Sequence, residues 1–213
     1  MRLDKIFNWF RDDYGWQDII PVHLQPGHDR LLVITGENAT GKSLLRRILQ
    51  QLSRDDKVEA MAISPEYRQM GGIARAFVFG DETYEASGQI ACHVVTTAIR
   101  TSKGRETPHI IILDDVDVGL SDNASAGVAE AIVAYCNEPG PHLGFVTVIT
   151  HRKPILAAFA QAGASHIRVG DELTLTQVVE QPIIPIPPEV VQERAHIMFQ
   201  KVQKVLKEKR LRK

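Results

Sequence analysis

Gly36, Glu37, Asn38, Ala39, Thr40, Gly41, Lys42 and Ser43 follow the pattern GxxxxGK[ST]. That pattern suits the cradling of phosphate. Its glycines let the backbone turn so that several N–H groups point at one anion. A helix starting at Lys42 would add the partial positive charge of its N-terminus. Lys42 would reach the β- and γ-phosphates, and the Ser43 hydroxyl is a suitable magnesium ligand.

A second cluster is acidic. Asp114 and Asp115 follow the apolar run Ile110-Ile111-Ile112-Leu113. Carboxylates at the carboxyl end of a buried strand lie beside a phosphate loop in an open α/β sheet. Asp114 would hold magnesium through water, and Asp115 would orient the water that attacks the γ-phosphate. His151 closes a third apolar run, where its ring can hydrogen-bond the γ-phosphate or that water.

These residues need particular elements to bring them together. LLVIT (31–35), HIIIL (109–113) and LGFVTVIT (143–150) are continuous apolar runs, the mark of strands buried on both faces of a parallel sheet. Helical spacing follows from Lys42, over 86–100, over 123–136 and at about 153–162. Shorter strands are expected at 57–63 and 74–79, and a strand pair near 165–179. The alternation predicts an α/β layered domain over residues 1–181, with a mostly parallel central sheet and flanking helices. PIIPIPP (182–188) has four prolines in seven residues and reads as a stiff extended linker. Residues 189–213 form one further helix.

The chain has 213 residues, 44% hydrophobic and 24% charged, which suits one globular domain plus an appendage. No apolar run approaches the ~20 residues that span a bilayer, and the N-terminus lacks a signal-peptide apolar core. Cys92 and Cys136 read as two separate buried thiols. A cytoplasmic protein is the expectation. The net charge of −1 divides unevenly. Residues 1–188 carry 17 basic and 23 acidic side chains, whereas 189–213 carry 8 and 3.

Taken in order, the motifs resemble those of the ATP-binding-cassette (ABC) ATPases, a branch of the P-loop NTPases. GENATGKS is similar to the GxNxxGKS loop of SMC- and RecF-type heads, and Leu24-Gln25-Pro26-Gly27 resembles the lead into it. Tyr84-Glu85-Ala86-Ser87-Gly88-Gln89 resembles the signature LSGGQ, 25 residues before Asp114. LDDVDVGLSD resembles a Walker B strand followed by a D-loop, and Thr150-His151 resembles the switch histidine. The resemblance covers residues 24–151.

It implies an ATP- and magnesium-dependent head that dimerises head to tail, as a homodimer or within a hetero-complex. Ser87, Gly88 and Gln89 of one subunit would cap the γ-phosphate held by Gly36, Asn38, Thr40, Gly41, Lys42 and Ser43 of the other. Gln69 in PEYRQMGG is the candidate for the family's Q-loop magnesium ligand, or else a surface glutamine. Tyr14 or Trp16 is the candidate for an adenine-stacking aromatic, or else a core or surface ring.

Asp115 stands where the family has Glu, one methylene longer, and the signature is altered at Ala86. Both departures imply slow hydrolysis or ATP sensing. The leading function is an ATPase acting as motor or switch subunit of a cytoplasmic complex, in DNA maintenance or antiphage defence. Two alternatives stay open: the nucleotide-binding subunit of a transporter, and a non-catalytic assembly protein glued by ATP. In the tail, Val191, Ala195, Met198, Val202 and Val205 share one helix face. That helix either packs on its own domain or binds nucleic acid or an acidic protein.

Overall fold

A computed structural model describes residues 1–12, 19–64 and 87–211, with side chains as far as Lys204. Expectations placed on Tyr14, Trp16, Gln69, the strand at 74–79 and residues 84–86 lie outside the described residues.

Helix α1 (Leu3–Asp12) leads to strands β1 (Val22–Gln25) and β2 (His28–Gly36). Helix α2 (Lys42–Asp55), β3 (Glu59–Ile63), α3 (Ser87–Lys103), β4 (His109–Asp114) and α4 (Asp122–Asn137) follow. The chain continues through β5 (Leu143–Ile149), α5 (Lys153–Gln161), β6 (Ala164–Val169) and α6 (Leu175–Glu180) to α7 (Pro188–Leu211).

The six strands make one sheet in the order β1-β6-β2-β5-β4-β3. β1 runs antiparallel to β6, and every other pairing is parallel. The three apolar runs therefore lie side by side as β2, β5 and β4, which is why they read as unbroken apolar sequence. Their side chains alternate between two cores. Leu31, Val33, Ile111, Leu113, Val146 and Val148 face the layer of α3, α4 and α5. Leu32, Ile34, Ile110, Ile112, Phe145 and Ile149 face the layer of α1 and α2.

The strand pair near 165–179 resolves differently: β6 is the strand, and residues 175–180 are helical. Two local caps decide this. The Asp171 carboxylate accepts the Leu173 N–H at 3.1 Å. Thr174 and Gln177 then form a capping box, each side chain accepting the other's backbone N–H. Two elements carry weaker sequence signals. α1 buries Leu3, Ile6, Phe7 and Phe10 on one face, and β1 is a half-buried edge strand.

The linker ends one residue early, because Pro188 already occupies the first turn of α7, where its missing N–H costs nothing. α7 lies on its own domain. Met198 and Val202 pack against the core cluster that contains Leu45 and Leu49 of α2. The half-buried face runs through Val191, Arg194, Met198 and Val202, while Ala195 is exposed. The expected face is thus shifted by one residue, with Arg194 in the place expected of Ala195.

Candidate functional site

The carboxyl ends of β2, β5 and β4 are adjacent, and each carries one of the predicted clusters. Residues Gly36–Ser43 link β2 to α2. Gly41 sits at the helix N-cap with φ +111°, a conformation that L side chains rarely adopt, so glycine is required there. The loop is braced internally: the Thr40 hydroxyl donates to the Glu37 carbonyl at 2.9 Å. Asn38 and Ser43 are exposed.

Lys42 folds its amine back over the loop, donating to the Gly36 and Glu37 carbonyls at 3.0 and 2.9 Å. Burial lowers its pKa to about 8, against the opposing pull of Asp115, Asp114 and Glu37; Arg168 adds a smaller lowering.

Asp114 ends β4 and is 6% exposed. Its Oδ2 lies 3.3 Å from Nη1 of Arg46, itself 3% exposed. Arg46 stands four residues after Lys42 on α2, so the two cations share one helix face. Asp115 departs from the strand at φ +49°, with its N–H bonded to the Ile149 carbonyl at 3.0 Å. Aspartate tolerates the left-handed region better than most residues. The bond ties the carboxylate pair to the end of β5. Burial, then Asp117, raises the Asp115 pKa, opposed by Lys42 and Arg46.

Asp117 is buried and accepts the Thr150 hydroxyl at 2.6 Å. Thr150 in turn accepts the Arg152 N–H at 3.0 Å. The Arg152 guanidinium donates to the Leu120 carbonyl at 2.5 Å and to Asp122 at 3.3 Å. The segment after the carboxylates is thereby pinned to the end of β5. His151 follows β5 and is reached by solvent. Desolvation in the crowded cleft, then the Lys42 and Arg168 charges, lower its pKa to about 4, so its ring is neutral at pH 7. A neutral imidazole can donate from one nitrogen and accept at the other.

Arg168, at the end of β6, was not among the sequence candidates. It is buried, forks onto Asp171 through two bonds of 2.7 Å, and donates to the Thr35 hydroxyl at 3.4 Å. It lines a cavity of about 240 Å³ together with Gly36, Glu37 and His151. Pro182, Ile183 and Ile184 of the linker close its other side. Just before the linker, Lys153 ties down the end of α6 by donating to the Val179 and Gln181 carbonyls. Three signals for the missed residues exist in retrospect: an arginine inside the alternating strand SHIRV, an arginine at helical spacing from Lys42, and a third acid two residues past Asp115.

Ser87, Gly88 and Gln89 open α3, and the first two pack against Gly119 in the segment that follows Asp115. A Cβ on Gly119 would lie 2.5 Å from the Ser87 Cβ, and one on Gly88 would lie 2.8 Å from the Gly119 carbonyl. Only glycines permit this approach. Among the described residues no group of three or more His, Cys, Asp or Glu could hold a metal ion. Ser43 at the start of α2 and Asp114 at the end of β4 carry oxygens of the kind magnesium takes beside phosphate and water. Cys92 and Cys136 are free, and burial pushes the Cys136 thiol up to about 12. Among the described residues no helix is long and apolar enough to cross a membrane.

The fold is α/β, with a mostly parallel six-stranded sheet between helical layers. No family model matches the sequence, and no curated protein does. Among solved structures, the crystal structure of Cdc6p from Pyrobaculum aerophilum is similar, with a TM-score of 0.40 and 18% identity. The likeness covers 78% of this chain and 42% of that one, so the chain spans less than half the length of that protein.

Proposed function

We propose that this chain binds ATP with magnesium at Gly36–Ser43 and hydrolyses it, acting as the motor or switch subunit of a larger assembly. The observation that carries the reading is the convergence of Lys42, Asp114, Asp115 and His151 at the adjoining ends of three parallel strands.

On this reading the loop amides and Lys42 bind the β- and γ-phosphates. To do so, Lys42 exchanges its two loop carbonyls for phosphate oxygens. Magnesium, on Ser43 and through water on Asp114, would neutralise charge between those phosphates. Asp115 orients a water whose oxygen forms the new bond to the γ-phosphorus as the bond to the bridging oxygen breaks; the water's proton passes to Asp115 and on to solvent, giving ADP and inorganic phosphate. His151 and Arg168 face the same cavity and stabilise charge on the transferred group.

The ABC-type part of the reading rests on the packing of Ser87 and Gly88 against Gly119. It ties a signature-like helix start to the segment carrying Asp115 and Asp117. In a head-to-tail dimer, Ser87, Gly88 and Gln89 would then cap the partner's γ-phosphate. A second reading, an assembly protein that holds ATP without turnover, is favoured by the short Asp115 and by the Arg46 cation already paired with Asp114.

Isothermal titration of ATP against the wild type and Lys42→Ala tests the core reading. Binding is expected to vanish in the variant, and unchanged affinity overturns the assignment of the loop.

A further inference from the structure

Two cavities border the phosphate loop. The one with His151 and Arg168 is the side that the proposed function assigns to the terminal phosphate. The other, about 340 Å³, touches the loop at Glu37, Ala39 and Thr40. Ile19 and Pro21 form one part of its lining, and Arg194, Ile197, Met198 and Lys201 of α7 form another. α7 reaches the loop itself: a Cβ on Gly41 would sit 3.3 Å from the Met198 Cε.

A triphosphate chain anchored in the loop has two ends. One must lie toward Lys42, Asp115 and His151, and the other carries the nucleoside out of the loop. The second cavity borders the loop without any of the catalytic candidates in its lining. Its walls suit a flat heteroaromatic ring: aliphatic carbon from Ile19, Pro21 and Ile197, and a polarisable thioether from Met198. The Arg194 guanidinium can stack on such a ring, and Lys201 adds positive charge near the loop. The volume lies within the range of small-molecule sites.

We infer that α7 forms one wall of the nucleoside subsite, so that the base of the bound nucleotide is held between Ile19–Pro21 and Ile197–Met198. This rests on the phosphate-loop reading above. It has a consequence for the tail. Base binding and the seating of α7 are linked, and linkage is reciprocal. Nucleotide holds the basic helix against the domain, and a partner that draws α7 away weakens nucleotide binding by the same factor.

The test compares magnesium-ATP with magnesium-tripolyphosphate, which has the phosphates and no nucleoside, on the full chain. Wild type is expected to bind ATP at least tenfold more tightly than tripolyphosphate. Ile197→Ala with Met198→Ala is expected to weaken ATP about tenfold and leave tripolyphosphate within twofold. Equal affinity of the wild type for both ligands, or an equal loss of both in the variant, overturns the subsite and leaves the phosphate loop standing. Failure of the wild type to bind either ligand overturns both readings. Because Met198 also packs on the core, photolabelling of the wild type with 8-azido-ATP supplies a second measurement. The label is expected on the peptides that carry the two walls, 19–21 and 194–201, and labelling confined to peptides outside both overturns the assignment.

Discussion

The Arg46 guanidinium lies 3.3 Å from the Asp114 carboxylate, and both side chains are more than nine-tenths buried. A helix cation and a strand-end anion are thus locked together beneath the phosphate loop. Removing one partner of such a pair leaves the other charged in a desolvated place. Arg46→Ala is therefore expected to lower unfolding free energy by about 3 kcal/mol. Arg46→Met combined with Asp114→Asn removes both charges and is expected to recover most of that loss. Urea unfolding of the single and double variants checks this. A double variant as unstable as the sum of the singles would show that the pair is not coupled.

Asp115 combines a left-handed backbone with a carboxyl whose pKa is raised by burial and by Asp117. Asparagine tolerates the same backbone and carries no charge. Asp115→Asn is expected to unfold at the same urea concentration as wild type or a higher one. Phosphate release is expected to fall at least about 10²-fold, the scale of a lost general base. Turnover that survives the substitution removes Asp115 from the reaction.

The lowered pKa of Lys42 sets a pH dependence for nucleotide binding. Phosphate favours the ammonium form. Below pH 8 that form is already present, so affinity is flat with respect to this group. Above a pKa of about 8 each bound nucleotide must take up a proton, and affinity falls by up to about tenfold per pH unit. Titration calorimetry at pH 8.5, in two buffers of different ionisation enthalpy, reads the uptake directly. No proton uptake means that Lys42 does not meet the phosphates.

The central strands and the phosphate loop were legible because burial on both faces leaves an unbroken apolar run, as in Leu31–Ile34 and Ile110–Leu113. β1 was not, since an edge strand such as Val-His-Leu-Gln is half-buried and follows no sharp pattern. Leu173-Thr174-Leu175-Thr176 after β6 alternates as a strand would. The capping box of Thr174 and Gln177 outweighs that alternation. In the site, motif residues were visible through their spacing. Arg46, Arg168 and Asp117 give only weak signals of position, because spacing does not show that an arginine is buried against a particular acid or that an acid takes a particular hydroxyl.

His166 gives a separate test of stability. Its Nε2 lies 2.7 Å from the Thr35 hydroxyl and its Nδ1 3.1 Å from the Gln25 Oε1. The Gln25 Oε1 can only accept, so Nδ1 carries the proton and donates to it, and the bare Nε2 accepts the Thr35 hydroxyl proton. Protonation would break that arrangement beside a guanidinium. Burial and then Arg168 lower the pKa to about 4. The unfolded chain takes up this proton near pH 6.5, whereas the folded chain resists until about 4. Stability is therefore full above 6.5 and declines as pH falls through that window, by about 3 kcal/mol for this group. The acid-side loss from Asp171, whose pKa is lowered by Arg168, comes at lower pH. Urea midpoints between pH 7 and 4.5 are expected to fall in wild type and to fall less in His166→Gln.

The tail offers the last prediction. Its excess of five positive charges contrasts with the acidic body. Lys204 is exposed beyond the stretch of α7 that packs on the domain. If the basic end contacts a nucleic-acid backbone, each phosphate neutralised adds about 0.7–0.9 to the slope of log affinity against log salt. Replacing Lys204, Lys207, Lys209 and Arg210 by glutamine spares Met198 and Val202, so α7 stays seated and nucleotide binding persists. DNA affinity measured from 50 to 300 mM salt is expected to show a shallower slope in that variant, by about 0.7–0.9 for each phosphate that is no longer neutralised. A wild-type affinity independent of salt, or a slope unmoved by the four substitutions, directs the tail to a protein surface of opposite charge.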